Sequence, residues 1–342
     1  MVVLHDFVLH HLVAGMTAGR GDAEGYRRAL FREQGVVGRL LAHAVLDGLI
    51  APLWETRPDE FPLTLEVLQF ATGVIVHSAY VERRVREIGF DGPVWRVSHP
   101  AWSPPAALRN AALPAGTPVV GCFGNLTPAK RVPQLVEAFG RLRERFPEAL
   151  LVLGGDPGPA PGLDAAIERT RLRVGTDVVR LPYVEEGHLW AALDACDVCV
   201  NLRSPTMGET SGIAIRALVL ATPLVVSDVG WFAELPDSAV AKVPTDEWEV
   251  PTLAETLELL AGDARLRAKM AEAGRDYVRR EHSLERCAEL YAAALEEAAG
   301  KPLVREAVLR EVAAAAAEVG LDAGSPELAD VGTALREVGL GD

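Results

Sequence analysis

Residues 118–131 read Pro118-Val-Val-Gly-Cys-Phe123 and then Gly124-Asn-Leu-Thr-Pro-Ala-Lys130-Arg131, and helical periodicity begins at Val132. The first six form a short apolar run of the kind that becomes a buried strand. The next eight combine glycine, proline and two bases in a loop. After them, apolar residues recur at Val132, Leu135, Val136, Phe139, Leu142 and Phe146, with Pro133 suited to a first helical turn. A strand feeding a helix through a tight loop is the opening of a crossover unit.

The same alternation continues outward. Ala149–Leu153 reads as a strand ending in a Gly154-Gly155-Asp156-Pro157 turn. A helix is expected near 162–173, a strand at Val178–Leu181, a helix at Glu186–Ala195, a strand at Val198–Leu202, a helix at 212–220 and a strand at Pro223–Ser227. Strands separated by helices imply a parallel, doubly wound sheet, whose ligands sit beyond the carboxyl ends of the strands. Upstream, Val2–Leu4, Val74–Val76 and Val94–Val97 predict a shorter version of the same architecture. The expected organisation is a partial first Rossmann-like domain at 1–104, a linker at 105–116, a second domain at 117–282, a closing helix at 283–300 and a helical tail at 301–342. In the tail, Leu303–Val319 and a start at Ser325-Pro326-Glu327 predict two helices.

Composition narrows the class. The 342 residues are 49% hydrophobic and 24% charged, as in a soluble globular protein, and long enough for two cores. A net charge of −14 with no long basic run excludes nucleic acid as a partner. No run of about 18 apolar residues is present to span a bilayer, and no secretory signal is visible, so the expected location is cytoplasmic. Short clusters such as Arg83-Arg84 with Arg86 read as a solvated helix face, while leaving room for peripheral contact at the inner face of a membrane. Nothing in the sequence decides against an oligomer. Cys196 and Cys199, in a lone Cys-x-x-Cys at a helix-to-strand junction, read as small core residues beside Cys122 and Cys287.

Two loops carry chemistry. Gly124, Asn125, Lys130 and Arg131 lie where a strand gives way to a helix, a place that aims backbone amides and positive charge at an anion such as a diphosphate. Read only by its spacing, the loop is equally a surface turn with two solvated bases. It is neither a Walker loop nor a Gly-x-Gly-x-x-Gly fingerprint, which argues against a dinucleotide-dependent oxidoreductase. The stretch Pro205-Thr-Met-Gly208-Glu209-Thr210-Ser211-Gly212-Ile213 is richer. Its amides at Ser211, Gly212 and Ile213 are expected at a helix N-terminus, with the Glu209 carboxylate beside them to accept hydrogen bonds from hydroxyls. The competing reading is a helix cap, with Thr210 or Ser211 as the capping residue. Two glycines around a carboxylate at a strand's carboxyl end favour a ligand site.

Taken in order, these pieces resemble the retaining GT-B glycosyltransferases of the group 1 type. Phe123 to Lys130 is similar to that family's phosphate loop, and Leu151-Val-Leu-Gly-Gly-Asp156 to its next strand and turn. Leu181-Pro-Tyr183-Val184 resembles the segment lying against the nucleotide base. Glu209 to Pro223 resembles the donor-sugar loop and helix, and Val225-Val-Ser-Asp-Val-Gly230 with Glu234 the following turn. In the first domain, Val3-Leu4-His5-Asp6 resembles the strand-end histidine that approaches the donor sugar, while His10 and His11 are left as surface or packing positions.

The resemblance implies a GT-B-like pair of Rossmann-like domains and transfer of a sugar from a nucleotide diphosphate sugar to a saccharide, lipid-linked or small-molecule acceptor. It implies retention and a hexosyltransferase type. His5 and Glu209 are then the expected catalytic residues. Gly124, Asn125, Lys130, Arg131, Tyr183, Val184, Gly208, Thr210, Ser211, Gly212, Ile213 and Arg216 are expected to bind the donor. No cofactor is expected beyond the donor substrate, and no metal, since no Asp-x-Asp stands at a strand end. Three departures accompany the match. Asn125 replaces the family's usual loop arginine, and Arg216 replaces the second of its paired glutamates, which grips the ribose. The family's first strands and glycine-rich loop have no counterpart before Met1. The first domain is therefore read as incomplete, through a late start or a fragment, leaving a nucleotide-sugar-binding protein with little turnover as the alternative.

Overall fold

A computed structural model describes residues 1–105, 113–114, 116–155, 162–182, 185–300, 310–316 and 325–337. The first part runs β1 (Val2–Leu4), α1 (His10–Met16), α2 (Ala23–Leu46), α3 (Leu53–Thr56), α4 (Leu65–Leu68), β2 (Val74–Val76), α5 (Ala79–Glu87) and β3 (Val94–Arg96). Its strands form one parallel sheet in the order β1-β2-β3, with Val3 opposite Ile75 and Ile75 opposite Trp95. All three of β2's residues are buried, as a near-continuous apolar run in a covered parallel strand should be.

The second part runs β4 (Val119–Phe123), α6 (Val132–Arg145), β5 (Leu150–Gly154), α7 (Leu163–Thr170), β6 (Val178–Leu181), α8 (Glu186–Asp194), β7 (Val198–Asn201), α9 (Gly212–Val219), β8 (Leu224–Ser227), β9 (Val240–Val243), α10 (Glu249–Gly262), α11 (Ala264–Glu281) and α12 (Leu284–Gly300). Its six strands are parallel in the order β6-β5-β4-β7-β8-β9. Strand periodicity divides the core between the two faces. Val120 and Cys122 face α6, α7 and α10, whereas Val119 and Phe123 face α8, α9 and the start of the 232–240 segment. The sequence reading located five of these six strands to within a residue; β9, with the pattern Val-Ala-Lys-Val and only its ends buried, was not among its expectations. The four cysteines are buried and free, and burial pushes the Cys196 thiol up to about 12, so the Cys-x-x-Cys packs as small core residues. The expected linker lies largely outside the described residues, as does most of 303–319, of which 310–316 is helical; the second tail helix spans Pro326–Glu337.

Contacts between the two sheets' surroundings are specific. The Glu234 carboxylate accepts from the amides of Ala79 and Tyr80, so a side chain after β8 caps the N-terminus of α5. The amides of Phe7 and Val8 donate to the Met207 carbonyl at 2.8 and 2.9 Å. Helix α12 crosses back onto the first sheet, where Ala294 packs with Ile75 and Val97, and the Trp95 indole donates to Glu297 at 2.8 Å. No helix among the described residues is long and apolar enough to cross a membrane.

The 203–209 loop is tied to the first sheet at a glycine. Gly208 has φ +83°, and a Cβ there would stand 2.6 Å from the Phe7 Cβ and 3.1 Å from its amide nitrogen. Both the left-handed backbone and the close approach require glycine. Gly208→Ala is expected to lower stability by about 2 kcal/mol or more, read by chemical denaturation; unchanged stability would mean the loop and residue 7 are not held together as described.

Candidate functional site

In a doubly wound sheet the crevice opens where neighbouring strands are followed by connections running in opposite directions. Here that point lies between β4 and β7, so the 124–131 and 202–211 loops face one another across it. A cleft of about 710 Å³ lies there. The second sheet contributes Asn125, Thr127, Lys130, Arg131, Arg203, Glu209, Thr210, Ser211, Gly212, Ile213 and Arg216, and the first part of the chain contributes Asp6, His11 and Trp54.

Lys130 is the buried cation of this cleft. Gly124 follows β4 at φ +94°, and a Cβ on it would lie 2.6 Å from Lys130 Nζ. The missing side chain is what lets the ammonium fold back and donate to the Phe123 carbonyl. Gly155 does the same for the turn itself, since a Cβ there would meet the Gly124 carbonyl oxygen at 2.3 Å. Lys130 is 6% exposed, and burial brings its pKa down to about 8, with nearby Arg203 adding to the shift. Arg131 is disposed differently. It takes a left-handed backbone at φ +55° and its guanidinium binds the buried Glu249 of α10 in a bidentate pair, with Nη2–Oε2 at 2.5 Å and Nε–Oε2 at 3.0 Å. The arginine thus lines the cleft with its charge already matched.

The second loop is organised around Glu209. Its Oε1 accepts from Arg203 Nε, and its Oε2 from Thr206 Oγ1 at 3.0 Å and the Met207 amide at 2.8 Å. A carboxylate can accept about four hydrogen bonds, so these three leave room for one more. Ser211 is the cap of α9, as the competing reading had it: its Oγ accepts from the Ala214 amide at 3.2 Å and from Asn201 Nδ2 at 2.7 Å. The cap still leaves first-turn amides at Gly212 and Ile213 without intrahelical acceptors, at the positive end of the helix and in the cleft lining. The Thr210 hydroxyl is buried in the same wall with no hydrogen-bond partner among the described residues. Capping and anion binding are therefore compatible at this helix end.

Arg216 stands one turn into α9. It donates to the Gly212 carbonyl at 3.3 Å and to Glu186 at 3.1 Å, and its guanidinium lies 5.5 Å from the Trp190 ring centroid. His5 follows β1 but does not line the cleft itself; Asp6, next to it, does. Burial first, and then the nearby Glu209 carboxylate, lift the Asp6 carboxyl above its usual range. His10 is fully buried and bonds the Tyr26 hydroxyl at 2.9 Å, a packing position. His11, in contrast, lines the cleft. Tyr183 and Val184 lie outside the described residues.

The sequence reading missed Arg203, Asp6 and His11. Arg203 had a usable signal, an arginine directly after a buried strand at the switch point and six residues before Glu209. Asp6 and His11 had none, because only the folded first part of the chain turns them toward the second sheet.

Residues 106–277 match the family Glycosyl transferases group 1, and the chain belongs to it. A D-inositol 3-phosphate glycosyltransferase from Stackebrandtia nassauensis is 30% identical over 183 residues, 51% of this chain and 41% of that protein. An alpha-D-kanosaminyltransferase from Streptomyces kanamyceticus is 27% identical over 156 residues, 45% of this chain and 39% of that protein. The chain thus spans less than half the length of these curated relatives. Among solved structures, sucrose-phosphate synthase from Thermosynechococcus elongatus superposes with a TM-score of 0.59 at 23% identity, covering 74% of this chain and 65% of that one. HepE from Anabaena, in complex with UDP and glucose, has the same TM-score at 17% identity and covers 76% of each chain. These likenesses establish an α/β fold of parallel sheets shared with GT-B glycosyltransferases.

A diphosphate held against Lys130 should bind in a pH-dependent way. The lysine's charged form attracts a diphosphate, and that form is lost as pH rises through about 8. Calorimetric affinity for a nucleoside diphosphate should fall between about pH 7 and about pH 9, by up to roughly tenfold per unit once Lys130 deprotonates. Lys130→Met should bind more weakly and lose this slope, which separates the lysine from titration of the ligand. An equal slope in both proteins would place the diphosphate elsewhere.

Proposed function

We propose that this chain is a glycosyltransferase that takes a sugar from a nucleotide diphosphate sugar and transfers it to a saccharide, lipid-linked or small-molecule hydroxyl, with retention of anomeric configuration. The observation that carries this reading is the pairing, across the β4/β7 switch point, of a buried lysine with the open N-terminus of α9. Family membership supports it, as do the glycosyltransferase names of the curated relatives.

The chemistry follows from charge. Breaking the bond between the sugar and the diphosphate leaves negative charge on the leaving group. Lys130 Nζ and the amides at Gly212 and Ile213 are placed to meet that charge without reorganising, and preorganised stabilisation of this kind usually contributes most to an enzyme's rate enhancement. Glu209, fixed by Arg203, Thr206 and Met207, keeps one lone pair for a donor-sugar hydroxyl and so orients the ring. His5, outside the cleft lining itself but next to the lining residue Asp6, is assigned to the sugar from the side of the first sheet by the family resemblance. The donor in the HepE complexes, UDP-glucose, gives the first candidate to try.

A thermal-shift screen with UDP-, GDP-, ADP- and dTDP-sugars should identify the donor, because a ligand of the native state raises its melting temperature. With that donor, Lys130→Ala and Glu209→Gln should each lower transfer roughly a hundredfold or more, and the product should keep the donor's anomeric configuration by NMR. Normal kinetics in both variants would remove the assignment. Tight donor binding with neither transfer nor hydrolysis in the native chain would replace the transferase with a binding protein.

A further inference from the structure

Each of the three strands of the first sheet ends in a histidine. His5 directly follows β1, His77 directly follows β2, and His99 lies three residues beyond β3. The strands are adjacent and parallel, so the three rings gather at one edge, with centroids 4.9 Å apart for His5 and His77, 5.8 Å for His77 and His99, and 6.5 Å for His5 and His99. Two of the rings are tied to backbone carbonyls: His77 Nδ1 lies 2.8 Å from the Val97 oxygen, and His99 Nδ1 lies 3.1 Å from that of Pro100. His5 has no such carbonyl among the described residues. Its Nδ1 lies 3.1 Å from His77 Nε2.

This chain of contacts has one consistent assignment of protons. A carbonyl oxygen only accepts, so His77 Nδ1 carries a hydrogen. His77 is 5% exposed, and burial, reinforced by the neighbouring histidines His5, His99 and His282, brings its pKa down to about 4. At neutral pH it is therefore uncharged, and its Nε2 presents a lone pair. The hydrogen between the rings then belongs to His5 Nδ1, which donates to His77 Nε2. His5 Nε2 has no protein hydrogen-bond partner among the described residues.

We propose that His77 is a positioning residue that holds His5 in the Nδ1–H tautomer, so that His5 Nε2 meets the transferred sugar as an acceptor for a hydroxyl. Which imidazole nitrogen carries the proton is set by the hydrogen bond that the other nitrogen makes. Here the Val97 carbonyl sets it, two residues away from the sugar. The Asp6 carboxyl, next in sequence and part of the cleft lining, makes no hydrogen bond to His5 Nδ1 among the described residues, where the bond runs to His77. The selected ligand is a sugar with a free hydroxyl directed at the first sheet. The assignment rests on the transferase reading for its role, though not for its geometry.

Three substitutions separate position from mere packing. In His77→Asn the amide can still donate to Val97 but offers nothing at the Nε2 position. In His77→Gln the side-chain oxygen reaches that position and can accept from His5. His77→Phe keeps the volume and loses both contacts. Nitrogen-15 NMR of the uncharged His5 ring in the native chain should show hydrogen on Nδ1 and a bare Nε2. In the Phe and Asn variants the hydrogen should move to Nε2, while Gln should retain it on Nδ1. In transfer assays, Phe and Asn should lower kcat by about 10–100-fold, as loss of a ligand-orienting partner does, with the donor KM little changed because Lys130 and α9 hold the diphosphate. Gln should recover at least half of that loss on a logarithmic scale, with all melting temperatures checked. A native His5 with its hydrogen on Nε2, or a tautomer unmoved in His77→Phe, would overturn the proposal. Absence of transfer by the native chain with every donor would instead overturn the transferase reading, and the NMR result would still decide the role of His77.

Discussion

The constraint on which the site depends is topological. Parallel strands ordered β6-β5-β4-β7-β8-β9 must send the connections after β4 and β7 away from one another, and the carboxyl ends of those two strands are left uncovered between them. The groups proposed to hold the diphosphate lie on the 124–131 loop and in the first turn of α9, which flank this opening. Their local sequence then needs only to keep the opening narrow. Gly124 and Gly155 do so by letting one turn ride on the other, and Gly208 does so by letting the opposite loop sit on Phe7.

Within that opening most of the positive charge is already matched. Arg203 is held by Glu209, Arg131 by Glu249 and Arg216 by Glu186. The Arg203 and Glu209 side chains are 14% and 16% exposed, shielded enough for removal of either to leave the other badly solvated. These pairs fix loop shape before any ligand arrives. Lys130 differs in having, among the described residues, only a neutral carbonyl as its hydrogen-bond acceptor. Burial without a bonded carboxylate makes its charge costly, and a diphosphate bound as proposed would relieve that cost.

Much of this was legible from residues alone. Apolar runs of five or six and the 3.6-residue period after Val132 carry the second sheet, since a strand buried on both faces leaves little freedom in composition. The two ligand loops were legible for the same reason, as glycine and charge placed at strand ends. Partners far apart in sequence were not. Nothing near Arg131 points to Glu249, 118 residues later, and nothing near Ala79 points to Glu234 as the cap of α5. The half-polar β9, with Lys242 in its middle, hides its strand character because Lys242 leaves the sheet to bond Asp237 and the Ala233 carbonyl. His77 directly follows β2, and its link to His5 exists only because β1 and β2 are neighbours in register.

The arrangement of charge also bears on how the cleft discriminates. The whole chain carries −14, a field that opposes an anionic ligand at long range. At short range Arg131, Arg203 and Arg216 each already bind a carboxylate, which lowers their net pull on a free anion. What remains is one buried ammonium and the first-turn amides of α9, which act only within a few ångströms and in a fixed geometry. The proposed site thereby exchanges a general attraction for phosphates for dependence on placement, since an anion would gain most with its oxygens between Lys130 and Gly212. On the proposed reading a nucleotide diphosphate sugar would also reach Glu209 with a hydroxyl, so that the segment running from Glu209 into α9 meets both the sugar and the diphosphate while Lys130 meets the diphosphate from the opposite loop.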